Sequence, residues 1–225
     1  MAIEIRRLPQ IVPALLECDF ARLGAVAKEA EAAGARVLHL DVMDGHFVPN
    51  LTYGPPLIRS LRKATALALD AHLMISNPLQ HIDAFADAGC DVLTIHIEAL
   101  PDPREALSRI RGRGKLAGLA LNPPTPLDTV KPYLEACDLV LPLSVMPGWG
   151  GQKFDPVALE KLRWLRTHGP AHLILESDGG LNHETLARVV EAGAQLLVVG
   201  SALYRAADFT DEFRRLSKNA HGDVR

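Results

Sequence analysis

The chain has little cysteine, no block of like charge, no long hydrophobic run and no low-complexity stretch, and each absence removes a class of function. Its three cysteines, Cys18, Cys90 and Cys137, stand far apart without a Cys-x-x-Cys pair, which argues against a disulfide framework and a thiolate zinc site. They are expected to be small, mostly buried residues in a reducing compartment. The 24 basic and 27 acidic residues are interspersed and leave a net charge of −3, so there is no basic stripe for nucleic acid or an anionic membrane. No apolar run is long enough to span a bilayer, and the opening Met1-Ala-Ile-Glu-Ile-Arg-Arg lacks the apolar core of a signal peptide. The expectation is a soluble, cytoplasmic protein with neither a nucleic acid nor a membrane as partner. Without a linker-like run, residues 1–225 read as a single domain.

What is present is a repeating unit. Glu31-Ala-Ala-Gly34, Ala86-Asp-Ala-Gly89 and Glu191-Ala-Gly193 each read as a helix end and a glycine stop, followed by a leucine- and β-branched-rich strand. Glycine suits the left-handed position that closes a helix, and the apolar run after it fits a strand buried on both faces. Strands are predicted over Ile11–Leu15, Val37–Val42, Ala68–Met74, Val92–Ile97, Lys115–Leu121, Leu139–Ser144, Leu173–Glu176 and Leu196–Val199. Between them the pattern predicts helices near Phe20–Ala32, Pro56–Lys63, Pro78–Asp87, Pro103–Arg111, Leu127–Glu135, Pro156–Thr167 and His183–Glu191. Eight such alternations imply an α/β fold, a (β/α)8 barrel or failing that an open doubly wound sheet, with a barrel core of about residues 11–204 and a last helix near 208–217.

Two of these strands carry polar groups where a buried strand should be apolar. In a strand, alternate residues share a face, so His39, Asp41 and Met43 point one way, as do His72 and Met74. A buried Asp among imidazoles needs a metal, a partner or a catalytic task to offset its desolvation. In a barrel the active site lies at the C-terminal strand ends, and phosphate is commonly held by the loops after strands seven and eight. Those loops are Asp178-Gly179-Gly180 and Gly200-Ser201, with Ser201 placed to begin a helix, and the loop after strand six contains Gly148-Trp149-Gly150-Gly151. One glycine pair alone is usually a turn; three glycine loops at adjacent strand ends converge on an anion site. Asp44-Gly45 reads as turn chemistry only, and His96 and Glu98, which also alternate on strand four, are expected to line the site or to back the residues that do.

The blocks His39-Leu-Asp-Val-Met-Asp-Gly-His-Phe-Val-Pro-Asn50, Asp70-Ala-His72-Leu-Met74, Leu121-Asn122-Pro-Pro-Thr-Pro126, Pro147-Gly-Trp-Gly-Gly-Gln-Lys-Phe154, Asp178-Gly-Gly180 and Gly200-Ser201 resemble the ribulose-phosphate 3-epimerase family from about Ile11 to Tyr204. The resemblance implies a single-domain TIM barrel that interconverts D-ribulose 5-phosphate and D-xylulose 5-phosphate, in the pentose phosphate pathway or Calvin cycle, and assembles as a homo-oligomer. By position it also implies one divalent cation held by His39, Asp41, His72 and Asp178. Mixed nitrogen and oxygen ligands suit zinc, iron(II), manganese or cobalt.

The chemistry fits the residues. Inverting a stereocentre beside a ketone removes a proton from one face and returns one to the other through a planar enediolate, which takes two acid/base groups. Asp41 is the expected proton acceptor from ribulose 5-phosphate and Asp178 the donor, with a cation stabilising the developing negative charge. His72, Gly148, Trp149, Gly150, Gly151, Gly179, Gly180, Gly200 and Ser201 are the expected substrate and phosphate contacts, and Met43 and Met74 line the floor. The chain departs from the family pattern at Ala14, where a serine is usual, at Leu143 for methionine, within the Met146–Trp149 segment, and at Ser177 for valine. Loss of the serine hydroxyl bears on substrate choice. An epimerase for a longer ketose phosphate such as D-allulose 6-phosphate is therefore the nearest alternative, and a non-catalytic barrel that binds metal or sugar phosphate a more distant one. No Asp-x-Lys-x-x-Asp run of the related decarboxylases and aldolases is present.

Overall fold

A computed structural model of the protein describes residues 9–222; the Met1 to Arg7 segment read above lies outside them. Eight strands, β1 (Gln10–Pro13), β2 (Val37–Met43), β3 (Ala68–Met74), β4 (Val92–His96), β5 (Leu116–Leu121), β6 (Leu139–Pro142), β7 (Ile174–Asp178) and β8 (Leu196–Val199), lie within a residue or two of most predicted bounds. Helices α1 (Leu23–Ala33), α2 (Pro55–Arg62), α3 (Pro78–Ala88), α4 (Arg104–Gly112), α5 (Val157–His168) and α6 (Leu186–Ala192) connect the strands, with no α-helix between β5 and β6, and α7 (Ser201–Tyr204) and α8 (Phe209–Ala220) both follow β8. All strand pairs are parallel in the order β1-β8-β7-β6-β5-β4-β3-β2, and one parallel bridge, Ala14 to His39, joins β1 to β2 to make a nearly closed ring. This is a TIM barrel, and the open doubly wound sheet is excluded.

The glycine stops behave as their chemistry requires. Gly34, Gly89 and Gly193 end α1, α3 and α6 with φ of 109°, 103° and 113°, and their N–H groups donate back into the last helical turn. Every residue of β2, β3 and β4 is buried. Their outward leucines, such as Leu40, Leu69 and Leu93, pack under the helices, each contributing about 1.5–3 kcal/mol. Around the barrel the inward residues start with an apolar plug that includes Val37, Ala68, Val92, Leu139, Ile174 and Leu196.

Three elements differ from expectation. The helix expected near Leu127–Glu135 is two 3-10 segments, Leu127–Thr129 and Lys131–Ala136. Pro132 lies inside that run, where its ring would strike the carbonyl four residues back in an α-helix. Helix α6 starts at Leu186 rather than His183, because the Asn182 side chain accepts from the N–H groups of Glu184 (2.8 Å) and Thr185 (3.3 Å) and holds that stretch as a turn. Helix α8 runs on to Ala220, with the Asp208 carboxylate capping its start by accepting from Asp211 N–H. No helix among the described residues is long and apolar enough to cross a membrane.

Candidate active site

Register places the polar residues in layers above the apolar plug. His39 lies opposite Asp70, Asp41 opposite His72, and Met43 opposite Met74 across the β2–β3 ladder. The lower polar layer is sealed: His39, Asp70 and Glu176 have no solvent exposure. Asp41, His72 and Asp178 stand above it and face one cavity at the C-terminal end of the barrel, together with Met43, Met74 and all three glycine loops.

One potential ligand atom from each of His39, Asp41, His72 and Asp178 falls within 4.8 Å of the others, so the four residues meet as expected. His39 is oriented by its lower neighbours: Nδ1 is 2.8 Å from Asp70 Oδ2, and Nε2 has no hydrogen-bond partner although it is buried 3.5 Å from Asp41 Oδ1. An unpartnered buried nitrogen 3.5 Å from a carboxylate oxygen has the spacing of two ligands that share one cation. His72 turns Nδ1 toward Asp41 Oδ1 at 3.3 Å and Nε2 toward His96 Nε2 at 2.8 Å. The donor set of two imidazoles and two carboxylates fits a borderline divalent metal.

Electrostatics separates the two acids. Burial works against the Asp41 charge, but His39 and His72 beside it win and hold its carboxyl well below the usual carboxylate range. Burial and the neighbouring Asp41 charge push Asp178 up to about 6. Two carboxylates in one site with pKa values driven apart are suited to serve as base and acid. Below them, burial and Asp70 raise Glu176 well above its ordinary value. His39 rises as well: burial opposes its charge, and Asp70 and Asp41 outweigh burial.

The strand ends carrying these acids are pinned. Thr52 donates its hydroxyl to the Asp41 carbonyl at 2.6 Å and accepts from Met43 N–H at 3.0 Å. Ser144 donates to the carbonyls of Asp178 and Gly179, both at 2.6 Å. The glycine loop after β6 is tied across the mouth by Asn50, whose Nδ2 donates to the Gly148 carbonyl at 2.8 Å. Gly148, Trp149, Gly150, Gly151, Gly179, Gly180, Gly200 and Ser201 all line the cavity, and Ser201 begins α7 as anticipated. Trp149 is 58% exposed at the rim. Of the departures, Ala14 and Leu143 do line the cavity, whereas Ser177 is buried with no hydrogen-bond partner for its hydroxyl among the described residues. Asp44 is more than a turn residue: it accepts from His46 and Phe47 N–H and also from the N–H and hydroxyl of Ser76, linking the loops after β2 and β3.

Sequence reasoning gave no task to Asp70 and Glu176. The signal was available, since Asp70 stands two residues before His72 and Glu176 two before Asp178, the same alternation that singled out Asp41. Glu17, which lines the mouth and pairs with Arg205 at 3.3 Å, gave no such signal.

The family model described as the ribulose-phosphate 3 epimerase family matches residues 10–204. The chain is 45% identical over 203 residues to a ribulose-phosphate 3-epimerase of Bacillus subtilis, covering 88% of this chain and 94% of the relative. It is 44% identical over 217 residues to the cytoplasmic isoform of the rice enzyme, covering 95% of each. Among solved structures the barrel is similar to KGPDC from Streptococcus mutans, with a TM-score of 0.73, 17% identity and coverage of 95% and 99%. It is also similar to 3-hexulose-6-phosphate synthase from Salmonella typhimurium, with a TM-score of 0.71, 18% identity and coverage of 94% and 98%. Both structural likenesses speak for the fold alone. Matched along nearly the whole barrel, the chain belongs to the ribulose-phosphate 3-epimerase family.

Proposed function

We propose that the protein epimerises C3 of D-ribulose 5-phosphate, giving D-xylulose 5-phosphate, with Asp41 and Asp178 as the two acid/base groups. The observation that carries this reading is the placement of two carboxylates, Asp41 from β2 and Asp178 from β7, on one cavity. A substrate whose C3 lies between them loses its proton to Asp41 on one face and receives one from Asp178 on the other, and the roles exchange in reverse. The protein moves only the two protons; the oxidation state of the sugar does not change.

His39, Asp41, His72 and Asp178 would hold one divalent cation, and the unpartnered Nε2 of His39 supports that fit. When bound, the cation supplies positive charge against the negative charge that develops on the substrate oxygens. Met43 and Met74 close the floor with apolar, polarisable sulfur and keep water from the carbon being inverted. The backbone N–H groups around Gly179, Gly180, Gly200 and Ser201 suit a phosphate, which anchors the far end of the substrate and sets C3 against the carboxylates.

The test is turnover of D-ribulose 5-phosphate after chelation and again after return of zinc, iron(II), manganese or cobalt, beside D-allulose 6-phosphate. Metal-restored turnover with a preference for the five-carbon sugar supports the proposal. A preference for the six-carbon sugar would shift the substrate and point to Ala14 and Leu143. Metal binding without turnover of either would leave a non-catalytic barrel.

A further inference from the structure

His96 and Glu98 take no part in the proposed proton transfer, yet they extend the site from His72 outward. The contacts run from His72 Nε2 to His96 Nε2 at 2.8 Å, then from His96 Nδ1 to Glu98 Oε2 at 2.9 Å. The two imidazole planes lie 22° from parallel with ring centroids 5.0 Å apart, so the rings meet end to end through these nitrogens, and the Phe47 ring lies against His96 with centroids 4.7 Å apart. Neither imidazole is exposed.

Proton counting gives this chain a direction. An ionised carboxylate only accepts, so His96 must carry its proton on Nδ1 and offer a lone pair at Nε2. His72 must then donate from Nε2, which leaves its own lone pair on Nδ1, the nitrogen facing Asp41 and the ligand cluster. Reversing the direction would require a proton on Glu98 or a second proton on His96, and the complete burial of His96 opposes that charge.

Glu98 is itself anchored. Its other oxygen accepts from Asn122 N–H at 2.7 Å and from the Thr125 hydroxyl. That loop is clamped by Lys161 of α5, whose buried ammonium donates to the carbonyls of Asn122, Pro123 and Thr125 at 2.8–2.9 Å. A fixed carboxylate thus stands two imidazoles away from the site.

We infer that Glu98 and His96 are positioning residues that hold His72 in the tautomer and orientation needed to ligate the cation through Nδ1. This rests on the proposed cation site. The arrangement lengthens the usual carboxylate and histidine support of a metal ligand by one imidazole, and such supports typically affect metal affinity by about 10–100-fold. His39 has the shorter version, with Asp70 directly on Nδ1. The two histidine ligands are therefore oriented from different sides, one from inside the barrel and one from the loop after β4.

Two measurements test it. In wild-type protein loaded with zinc, nitrogen-15 histidine spectra should show His96 protonated at Nδ1 and His72 at Nε2. In Glu98→Gln the amide can donate as well as accept, the bias on the chain is lost, and zinc affinity by chelator competition should fall about 10–100-fold. A merely structural role would lower the melting temperature without changing either tautomer or affinity. Zinc affinity in Glu98→Gln within twofold of wild type, or His96 protonated at Nε2 in the wild type, would overturn the inference while leaving the cation site intact. Failure of the wild type to bind zinc at all would remove both.

Discussion

Substituting Gly180 by alanine should damage the phosphate loop far more than the same substitution at Gly114, although the two glycines share a backbone conformation, with φ of 65° and 68°. At Gly114 an added Cβ would meet nothing within 4 Å. At Gly180 it would lie 2.6 Å from Phe154 N, 2.9 Å from Phe154 Cα and 3.0 Å from Gln152 O, all backbone atoms that no rotamer change can move aside. Left-handed strain alone costs about 1–2 kcal/mol at either site, and a stiffer unfolded chain returns about 0.4–1 kcal/mol of it. Overpacking adds about 1–3 kcal/mol at Gly180 only. For a chain of this size each kcal/mol is about 2–4 °C, so Gly180→Ala should melt at least about 2 °C below Gly114→Ala and as much as about 12 °C below it. The shift also moves the Gly179 and Gly180 N–H groups, so KM for the sugar phosphate should rise in Gly180→Ala and stay unchanged in Gly114→Ala. Thermal unfolding and steady-state kinetics on the pair suffice. Equal melting temperatures would refute the close packing of the two loops, and an unchanged KM would refute their role in anchoring phosphate.

Other consequences follow from the same contacts. Burial opposes the charge of Asp44, but its hydrogen bonds from Ser76, His46 and Phe47 together outweigh burial and hold its carboxyl below the usual range. A depressed folded pKa stabilises above the unfolded value near 3.9, and that contribution is lost as pH falls through the folded pKa. Urea titrations should therefore show Asp44→Asn less stable than wild type at pH 7, with the gap narrowing below about pH 4; a gap that widens in acid would contradict the assignment. Ser177→Ala removes a buried hydroxyl without a partner and should raise stability by about 1 kcal/mol, seen as a higher melting temperature, while a fall would mean that the hydroxyl is satisfied. Burial pushes the Cys18 thiol up to about 11 and the Cys90 and Cys137 thiols up to about 12. At pH 8 the buried Cys90 and Cys137 should react with a thiol reagent only at the rate at which the protein opens, while half-buried Cys18 reacts directly but more slowly than a free thiol; rapid modification of more than one thiol in native protein would show otherwise.

How far the sequence could be read depended on what each signal was about. Period-two alternation is a backbone property, so His39, Asp41 and Met43 could be put on one face without knowing the fold, and glycine stops at Gly34, Gly89 and Gly193 set the helix ends. The same alternation covered Asp70 and Glu176, but a polar residue deep in a strand becomes meaningful only when its neighbour across the ladder is known. Asp70 supports His39 through the β2–β3 register, and Glu176 reaches the same imidazole at 3.5 Å from the far side of the barrel. The chain from Glu98 to His72 depends on a Lys161 ammonium 63 positions further along the sequence from Glu98, which no local pattern reveals. The apolar spacing over Leu127–Glu135 fits an α-helix, but Pro132 within it does not, and the segment forms two 3-10 runs instead. Glu17 at the mouth stands in a short 3-10 turn, where no periodicity distinguishes a cavity residue from a solvated one.

The central claim, that Asp41 and Asp178 serve opposite faces of C3, is tested most directly in deuterated water with metal-loaded Asp41→Asn and Asp178→Asn. Starting from D-ribulose 5-phosphate, the account predicts that Asp41→Asn loses both epimerisation and exchange of the C3 hydrogen, by at least about 100-fold. Asp178→Asn should lose epimerisation to the same extent while Asp41 still exchanges the C3 hydrogen of ribulose 5-phosphate with solvent. Epimerisation within tenfold of wild type in either variant, or exchange surviving in Asp41→Asn and lost in Asp178→Asn, would contradict it.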